Sequence, residues 1–507
     1  MRTPTSTRTP AHLARFAATA LVLVAALASA AFAQPAVTVS PRSGPPTDKV
    51  IVAGTGFGSD EAVDIYFDTT DLALAATGSC GGFAGVRLNI PASATPGTHW
   101  ITGVGRRSGL TAQTGFIVHT DWLQFHRGPQ HHGYNSTENV LDVSDVGDLE
   151  VLWGATTGGS VESSPVVADG VVFVGSDDHN LYAFLAATGE PIWSAATGDA
   201  IASAPAVASG VVYVASEDNT LYAFDAANGQ PVWSAVTGGC LCSSPAVAND
   251  VVYVGSDDGM VYAFNAASGQ SIWSAALSGE TLGSSPAVAN GVVYVGSGGI
   301  LNAINAATGQ PVWSAKALYT IETSPTVANG IVYIGSNDVF AFNAVTGQPI
   351  WTAPSPVSDS SPAIANGVVY EGGEDGNLHA FDAANGQSIW SGVTGGVIDS
   401  SPAVANGVVY VGSSDYKLYA FNAATGQQLW SAATGGAIWS SPAVANGVVY
   451  VGSNDGHLYA FGLAPTSAAA RAAEPPARPN PAKLKPDLTH LPEPQKDAMK
   501  AAAHVGP

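Results

Sequence analysis

The residues best suited to chemistry are three carboxylates that occupy one position in successive copies of a repeated sequence. Glu322, Asp359 and Asp399 each stand three residues before a proline. Because Ca²⁺ prefers oxygen ligands, carboxylates gathered from neighbouring copies predict a calcium site or a surface for a cationic group of a partner. The ordinary alternative is a hydrated acidic rim, since unpaired carboxylates are common on solvated surfaces.

The same position in the other five copies carries unrelated residue types. These are Glu162, Ala202, Cys242, Gly283 and Trp439. The Ser, Pro and Val residues beside this position hardly change, so function is expected where the copies differ. With the copies arranged around an axis, the eight positions form a ring at one mouth of a central channel. Glu162, Cys242 and Trp439 are then candidates for partner binding.

Two further groups contain metal-binding residue types. His126, His131 and His132 lie close together, but no fourth ligand stands near them, so a packed lead-in segment is favoured over a zinc site. Cys240 and Cys242 are two residues apart on one predicted strand face, where a bridge would be strained. With Cys80 they make three thiols, whose pairing and redox state stay open; small buried residues are the favoured interpretation.

No spacing in the chain predicts a catalytic residue. A Ser/His/Asp arrangement and a paired acid/base motif are both missing from the sequence. The Asp-rich segments around Asp177, Asp257, Asp375 and Asp455 lack the D-x-D-x-D-G spacing of a calcium loop, so they are interpreted as turn formers.

A repeat of about forty residues must position these side chains. Its anchoring prolines are Pro165, Pro205, Pro245, Pro286, Pro325, Pro362, Pro402 and Pro442. Its closing tryptophans are Trp153, Trp193, Trp233, Trp273, Trp313, Trp351, Trp390 and Trp430. A fixed period of this size indicates a solenoid, an array or a propeller.

Within each copy, short runs such as SPAVA, VVYVG and LYAF alternate with Asn-Gly and Asp-Gly turn signals, which predicts hairpin-linked strands. Four such strands make one blade of a β-propeller. The first tryptophan precedes the first SSP triplet, and the last LYAF lacks one after it. The strand around 149–153 is therefore expected to complete the last blade, and we predict an all-β protein whose propeller, over residues 149–462, has eight four-stranded blades.

One segment of the repeat carries a family resemblance. AFDAANGQPVW at 223–233 and AFNAATGQQLW at 420–430 share the pattern A-x-[D/N]-x-x-[T/N/S]-G-x-x-x-W. This resembles the tryptophan-docking motif of PQQ-like propeller repeats, which occur in quinoprotein dehydrogenases and in BamB-like assembly propellers. The resemblance implies that the eight tryptophans pack one blade against the next.

The segments outside the propeller predict an exported protein. Residues 1–33 have the basic, apolar and A-x-A regions of a signal peptide, without a following lipid-anchoring Cys. Residues 35–118 alternate with a period of two and resemble an IPT/TIG-type immunoglobulin-like domain. Residues 119–148 are interpreted as a linker, and residues 463–507, rich in Ala, Pro and Lys, as a disordered tail.

Charge excludes some partners. The formal net charge is −22, and between Gly128 and Ala470 there is no Arg and the Lys residues are Lys316 and Lys417 alone. Such a surface repels nucleic acid and anionic lipid. It is equally unsuited to PQQ, because a multiply anionic cofactor requires Arg or Lys donors. No segment after the signal peptide is apolar enough to span a membrane.

We therefore expect a periplasmic or extracellular, monomeric and non-enzymatic propeller without cofactor, which binds a protein or glycan on its acidic face. The alternative is a PQQ- and Ca²⁺-dependent dehydrogenase that oxidises alcohols or sugars.

Overall fold

A computed structural model of the chain describes residues 34–277, 283–317, 319–356, 358–465, 467 and 474–486. The predicted signal peptide, residues 1–33, lies outside the described residues. No helix in these ranges is long and apolar enough to cross a membrane.

The N-terminal domain is a pair of sheets around one apolar core. Its strands are β1 (Ala36–Ser40), β2 (Ser43–Gly44), β3 (Lys49–Thr55), β4 (Ala62–Phe67), β5 (Thr70–Ala76), β6 (Phe83–Asn89), β7 (Gly97–Gly105) and β8 (Thr111–Val118). One sheet has the order β1-β3-β6 and the other β2-β8-β7-β4-β5. Buried side chains from Val37 to Val118 fill the space between them. The more specific immunoglobulin-like description stays a prediction.

Two strands follow before the repeats, β9 (Tyr134–Asn135) and β10 (Leu149–Thr156). Short 3₁₀ helices lie at Phe125–Arg127 and Val146–Asp148, and a third lies at Pro481–Lys483.

The repeats form eight sheets, which we call blades 1 to 8; seven have four strands, and the sheet of blade 7 gains β9 as a fifth. Blades 1 and 2 contain β11 (Val166–Ala168), β12 (Val171–Gly175), β13 (Asn180–Leu185), β14 (Pro191–Ala196), β15 (Ala206–Ala208), β16 (Val211–Ser216), β17 (Thr220–Asp225) and β18 (Pro231–Val236). Blades 3 and 4 contain β19 (Ala246–Ala248), β20 (Val251–Ser256), β21 (Met260–Asn265), β22 (Ser271–Ala276), β23 (Ala287–Ala289), β24 (Val292–Ser297), β25 (Ile300–Asn305) and β26 (Pro311–Lys316).

Blades 5 and 6 contain β27 (Thr326–Ala328), β28 (Ile331–Ser336), β29 (Asp338–Asn343), β30 (Pro349–Pro354), β31 (Ala363–Ala365), β32 (Val368–Gly372), β33 (Asn377–Asp382) and β34 (Ser388–Val393). Blades 7 and 8 contain β35 (Ala403–Ala405), β36 (Val408–Ser413), β37 (Lys417–Asn422), β38 (Gln428–Ala433), β39 (Ala443–Ala445), β40 (Val448–Ser453) and β41 (His457–Leu463). Blade 8 is completed by β10, which pairs antiparallel with β41.

The hairpins and the core follow from the sequence of the repeat. The first two strands of most blades are joined by an Asn-Gly turn in which both residues have positive φ, such as Asn446 (55°) and Gly447 (77°). This is the geometry that a two-residue β-hairpin requires. Alternate residues of the second strand then face opposite neighbours: Val252 and Val254 pack towards blade 2, and Tyr253 packs towards blade 4. The all-β propeller prediction is confirmed.

The tryptophans join consecutive blades. Each indole nitrogen donates a hydrogen bond of 2.8–3.1 Å to a backbone oxygen of the following blade. Gly229, with φ of 69°, lies so close to Trp193 that a Cβ there would stand 2.6 Å from the ring, which explains the glycine of the motif. Trp430 donates to Leu149 of β10, so the last of these contacts joins the two ends of the ring.

Part of the C-terminal segment returns to the N-terminal domain. Arg478 lies over the ring of Trp100, 4.4 Å from its centroid, and donates a hydrogen bond to the Gln113 side chain at 2.8 Å. Gln113 in turn donates to the carbonyl of Pro479. These contacts join residues 474–486 to the N-terminal domain, and the description of 463–507 as a disordered tail stays a prediction. Most of the remaining tail lies outside the described residues.

Candidate functional site

One end of the channel is filled by the segment 122–135, which we call the plug. It hydrogen-bonds in turn to the middle residue of the innermost strand in every blade. These residues are Val167, Val207, Val247, Val288, Val327, Ile364, Val404 and Val444. An innermost strand has one edge without a partner in its own blade, so its backbone groups need another one. The plug supplies it at all eight blades.

Most of these bonds use the backbone of the plug, and two side chains replace it where the backbone does not reach. The amide of Gln124 accepts from the nitrogen of Val247 at 2.8 Å and donates to its carbonyl at 3.0 Å. Asn135 donates to the carbonyl oxygens of Val444 and Thr120. An amide side chain carries the same donor and acceptor as a peptide group, which is why it can complete the pairing.

The three histidines belong to this plug. His126 and His131 are buried, and burial lowers the pKa of His126 to about 4 and that of His131 to about 3. The Nδ1 atom of His131 lies 3.1 Å from the carbonyl oxygen of Pro325, and Nε2 of His132 lies 2.7 Å from that of Val327. Among the described residues they are in no group of three metal-ligating side chains. Their contacts are those of a packed lead-in segment.

The eight variable positions lie at the opposite end of the channel. Each stands five residues before the residue that contacts the plug, in a loop that hydrogen-bonds to the turn between the second and third strands, as from Asp177 N to Ser160 O at 3.0 Å. We call this end, with the adjoining turns between the second and third strands, the open face. Cys242, Gly283, Glu322, Asp359 and Trp439 are exposed there, and Glu162, Ala202 and Asp399 are half-buried.

Two of the predicted calcium ligands touch, and the third does not complete a group with them. A side-chain hydrogen bond to Asp359, followed by burial, raises the pKa of Glu322. Burial, followed by the charges of Asp359 and Glu374, raises the pKa of Asp399. The described residues contain groups of three ligand atoms within 4.8 Å of one another, but Glu322, Asp359 and Asp399 do not form one. Calcium at this position stays a prediction.

Carboxylates from the neighbouring turns add to the negative field of the open face. Burial, followed by the charges of Asp177 and Glu217, raises the pKa of Glu162. Burial, followed by the charges of Asp199, Asp177 and Asp257, raises that of Glu217. In each case the charges repel a further negative charge, so the face favours a cation over an anion.

The remaining ring candidates are an aromatic side chain and a thiol. Trp439 is 43 % exposed. Cys240 and Cys242 lie in the loop that precedes β19 rather than in a strand. The Leu241 side chain between them is buried, so both thiols turn towards the open face.

The serines beside the ring perform a structural role that their near-invariance did not reveal. The second serine of the SSP triplet accepts a hydrogen bond of 2.9–3.0 Å from the backbone nitrogen of the equivalent residue in the preceding blade. Seven such links run around the ring. The eighth is missing because blade 2 has Ala204 at this position. Only the side-by-side placement of the blades discloses this network.

These features define a closed β-propeller of tryptophan-docked repeats with one plugged and one open end. A family profile described as outer membrane protein assembly factor BamB matches residues 138–281, 257–396 and 392–464. The chain belongs to this family. No curated protein sequence matches the chain significantly.

Solved structures with this fold include both BamB and dehydrogenases. BamB from Moraxella catarrhalis is 19 % identical, with a TM-score of 0.56 over 62 % of this chain and 99 % of that one. Quinohemoprotein alcohol dehydrogenase from Comamonas testosteroni is 18 % identical, with a TM-score of 0.60 over 68 % and 80 %. A europium-containing methanol dehydrogenase is 14 % identical, with a TM-score of 0.59 over 68 % and 98 %. At these identities the likeness is one of fold.

The eight ring positions of the open face carry no basic side chain for an anionic cofactor. The carboxylates there already raise one another's pKa values, so an added anion would be repelled. In the described part of the propeller, Lys316 and Lys417 are exposed and adjoin turns between second and third strands, but neither is at a ring position. Arg127 lies in the plug, where it donates to Tyr134 and Thr137. No basic group among the described ring positions could hold such a cofactor.

Proposed function

We propose that this chain is an exported, non-enzymatic binding propeller that captures a basic segment of a partner protein on its open face. The observation that carries the proposal is the field of carboxylates, which come from several blades and act on one another. A cationic partner relieves this repulsion on binding, and electrostatic complementarity of this kind also accelerates encounter and suppresses wrong partners.

The plug supports the choice of face. Because segment 122–135 occupies the other end of the channel, the side chains that differ between blades are presented on one side. Trp439 is exposed beside them, and a tryptophan next to charged groups is a common centre of binding energy at protein interfaces. A protein partner is favoured over a neutral glycan, because a neutral sugar would leave the repulsion between carboxylates unrelieved.

The family name supports the same class of function. A BamB-like fold is compatible with a role in protein assembly, which is the role that the name of the family gives to its members. The dehydrogenase alternative has weaker support, since it rests on fold likeness and requires an anionic cofactor in an acidic site.

The test is capture of partners from the envelope fraction, followed by carboxyl-to-amine cross-linking and mass spectrometry. We expect a partner whose lysines are linked to the open face, and its loss in the variant Glu162→Gln, Glu217→Gln, Asp399→Asn. The matched control removes the same charge elsewhere: Asp148→Asn, Glu150→Gln and Glu190→Gln, three exposed residues away from the ring. Equal capture by both triple variants would contradict the proposal.

A second arm tests the alternative. PQQ is titrated into the purified protein with and without Ca²⁺, while the unfolding temperature is followed. We expect no saturable binding. Saturable binding with a rise in stability would replace the proposed function with a quinoprotein.

A further inference from the structure

Blade 3 differs from every other blade at two positions of the open face. Cys240 and Cys242 stand where blade 1 has Ser160 and Glu162, and where blade 7 has Val397 and Asp399. The two Sγ atoms are 2.9 Å apart. With a carboxylate oxygen of Asp257 they form a group whose three ligand atoms all lie within 4.8 Å of one another. Two thiols and a carboxylate converge there.

The backbone around this group is tied down from both sides. Leu241 is buried in the core between blades 2 and 3 and anchors the loop. The nitrogen of Asp257 donates to the carbonyl of Cys240 at 3.0 Å, and the hydroxyl of Ser256 donates to the neighbouring Gly239 at 3.1 Å. The loop with the thiols and the turn with the carboxylate are thus joined directly, and the side chains meet without a change of backbone.

The surroundings favour a bound cation. The carboxylates of Glu217, Asp257 and Asp199 lie close enough to Cys240 for their charges to act on it. Free thiolates would be repelled by these carboxylates, whereas a divalent cation would neutralise the charge of the thiolates and of the carboxylates. Metal binding to cysteine requires the thiolate and releases protons to solvent, so the same negative field that opposes the free thiolate stabilises the complex.

We infer that Cys240, Cys242 and Asp257 form a binding site for a thiophilic divalent cation of the Zn²⁺ type. Thiolate ligands select Zn²⁺ over Ca²⁺ or Mg²⁺, and zinc accepts sulfur and carboxylate oxygen in one tetrahedral shell. At a Zn–S distance of about 2.3 Å, two sulfurs on one zinc stand roughly 3.8 Å apart. The thiols must therefore separate by about 1 Å, which a side-chain rotation of exposed Cys242 provides.

Three protein ligands leave one tetrahedral position for water. Zinc sites with an open position exchange that water for a group of a substrate or partner. The site faces solvent, so the open position is accessible. The inference concerns the metal alone and does not depend on the identity of any protein partner.

The test is titration of the reduced full-length mature protein with Co²⁺, and displacement of Co²⁺ by Zn²⁺. Sulfur coordination gives a charge-transfer absorption in the near ultraviolet that oxygen ligands do not give. We expect one Co²⁺ per chain with this band. The band should disappear in Cys240→Ser and Cys242→Ser, and the affinity should fall about 10-fold or more in Asp257→Asn, in line with the loss caused even by outer-shell changes.

Two controls isolate the site. Asp177→Asn changes the same turn position in blade 1, and Cys80→Ser removes the remote thiol of the N-terminal domain; both should bind as the unchanged protein does. Binding that survives in the Cys240 and Cys242 variants, or a reduced protein that shows no sulfur band, would overturn the inference. Isolation of the protein with a Cys240–Cys242 disulfide, and no Co²⁺ binding after its reduction, would overturn it equally.

Discussion

At the scale of single residues, one core position departs from the repeat in a way that costs stability. Glu371 lies in β32, where the other seven blades have Val or Ile. It is completely buried, and neither carboxyl oxygen has a hydrogen-bond partner in the described part of the chain. Burial raises the pKa of Glu371 well above its ordinary value, so the carboxyl is held neutral in the fold.

We predict that Glu371→Val stabilises the protein, and does so more strongly as pH rises. The folded state keeps a proton that the unfolded state releases, so stability falls from the ordinary carboxyl pKa up to the raised one. At neutral pH the gain should be about 1–3 kcal/mol, the cost of an unsatisfied buried polar group. Denaturant unfolding at about pH 5 and about pH 8 measures it.

The control for this prediction is Glu371→Gln. It keeps a buried polar side chain of the same length but cannot ionise, so it should remove the pH dependence and retain much of the cost. A Val variant whose advantage is the same at both pH values would refute the assignment.

The missing serine link gives a second residue-scale prediction. Ala204→Ser should supply the acceptor that the backbone nitrogen of Ser164 lacks and complete the ring of eight links. A net hydrogen bond contributes about 1 kcal/mol, and Ala204 is 2 % exposed, so the hydroxyl must fit a closely packed site. Ser244→Ala, which deletes an existing link, should lower stability by a similar amount. Destabilisation by Ala204→Ser would show that packing outweighs the bond.

At the scale of elements, the plug determines which end of the channel is accessible. It is irregular chain with few strand residues, and it holds its position because its polar groups match the unpaired edge of every innermost strand. A buried backbone group left without a partner costs about 1–3 kcal/mol. The energetic role of the plug is therefore concentrated in these hydrogen bonds, in addition to the apolar contacts of Trp122 and Phe125.

We predict that Gln124→Ala destabilises the protein by about 2–4 kcal/mol, because both backbone groups of Val247 lose their partner. The matched control is Leu123→Ala. Leu123 is 38 % exposed and contacts blade 2 through its carbonyl oxygen, so its side chain should matter little. Equal losses in the two variants would mean that the amide bonds are not the source of the effect.

At the scale of the whole molecule, closure of the ring and the charge of the open face have opposite effects on stability. The pairing of β10 with β41 completes blade 8, so β41 presents no open edge for association, and the serine links join neighbouring blades around the ring. Meanwhile burial, followed by the charges of neighbouring carboxylates, raises the pKa values of Glu162, Glu217 and Asp399, so repulsion within the open face contributes to each shift. The fold holds together charges that would separate in the unfolded chain.

This repulsion predicts how stability depends on pH and salt. Because the three pKa values are raised in the fold, their contribution to stability declines as pH rises through them. These groups are partly exposed and are therefore screened by ions, so added NaCl should recover stability at about pH 8 and do little at about pH 4. Thermal unfolding over a grid of pH and salt tests this. An unfolding temperature at pH 8 that does not change with salt would contradict this prediction. Glu371 is buried and should contribute nothing to the salt effect.

Local sequence patterns predicted much of the architecture. The proline and tryptophan series, the Asn-Gly turns and the phase of the first tryptophan together predicted an all-β propeller closed by 149–153. These features act over a few residues: a hairpin requires φ > 0 at its turn, and a period near forty repeats one packing unit. The eight ring positions could be read from the same alignment of copies.

What only the tertiary structure decided depends on neighbours that are distant in sequence. The sequence favoured packing for the histidines of the plug, but only the folded chain shows their partners, the carbonyl oxygens of Pro325 and Val327 in blade 5. Glu322 and Asp359 meet, and Asp399 does not complete a group with them, because the spacing between blades is set by side-chain packing. Cys240, Cys242 and Asp257 converge through the pairing of a loop with a turn. The sequence determined the unit and its number of copies, and the closed ring decided which side chains touch, because those contacts form between copies and not within them.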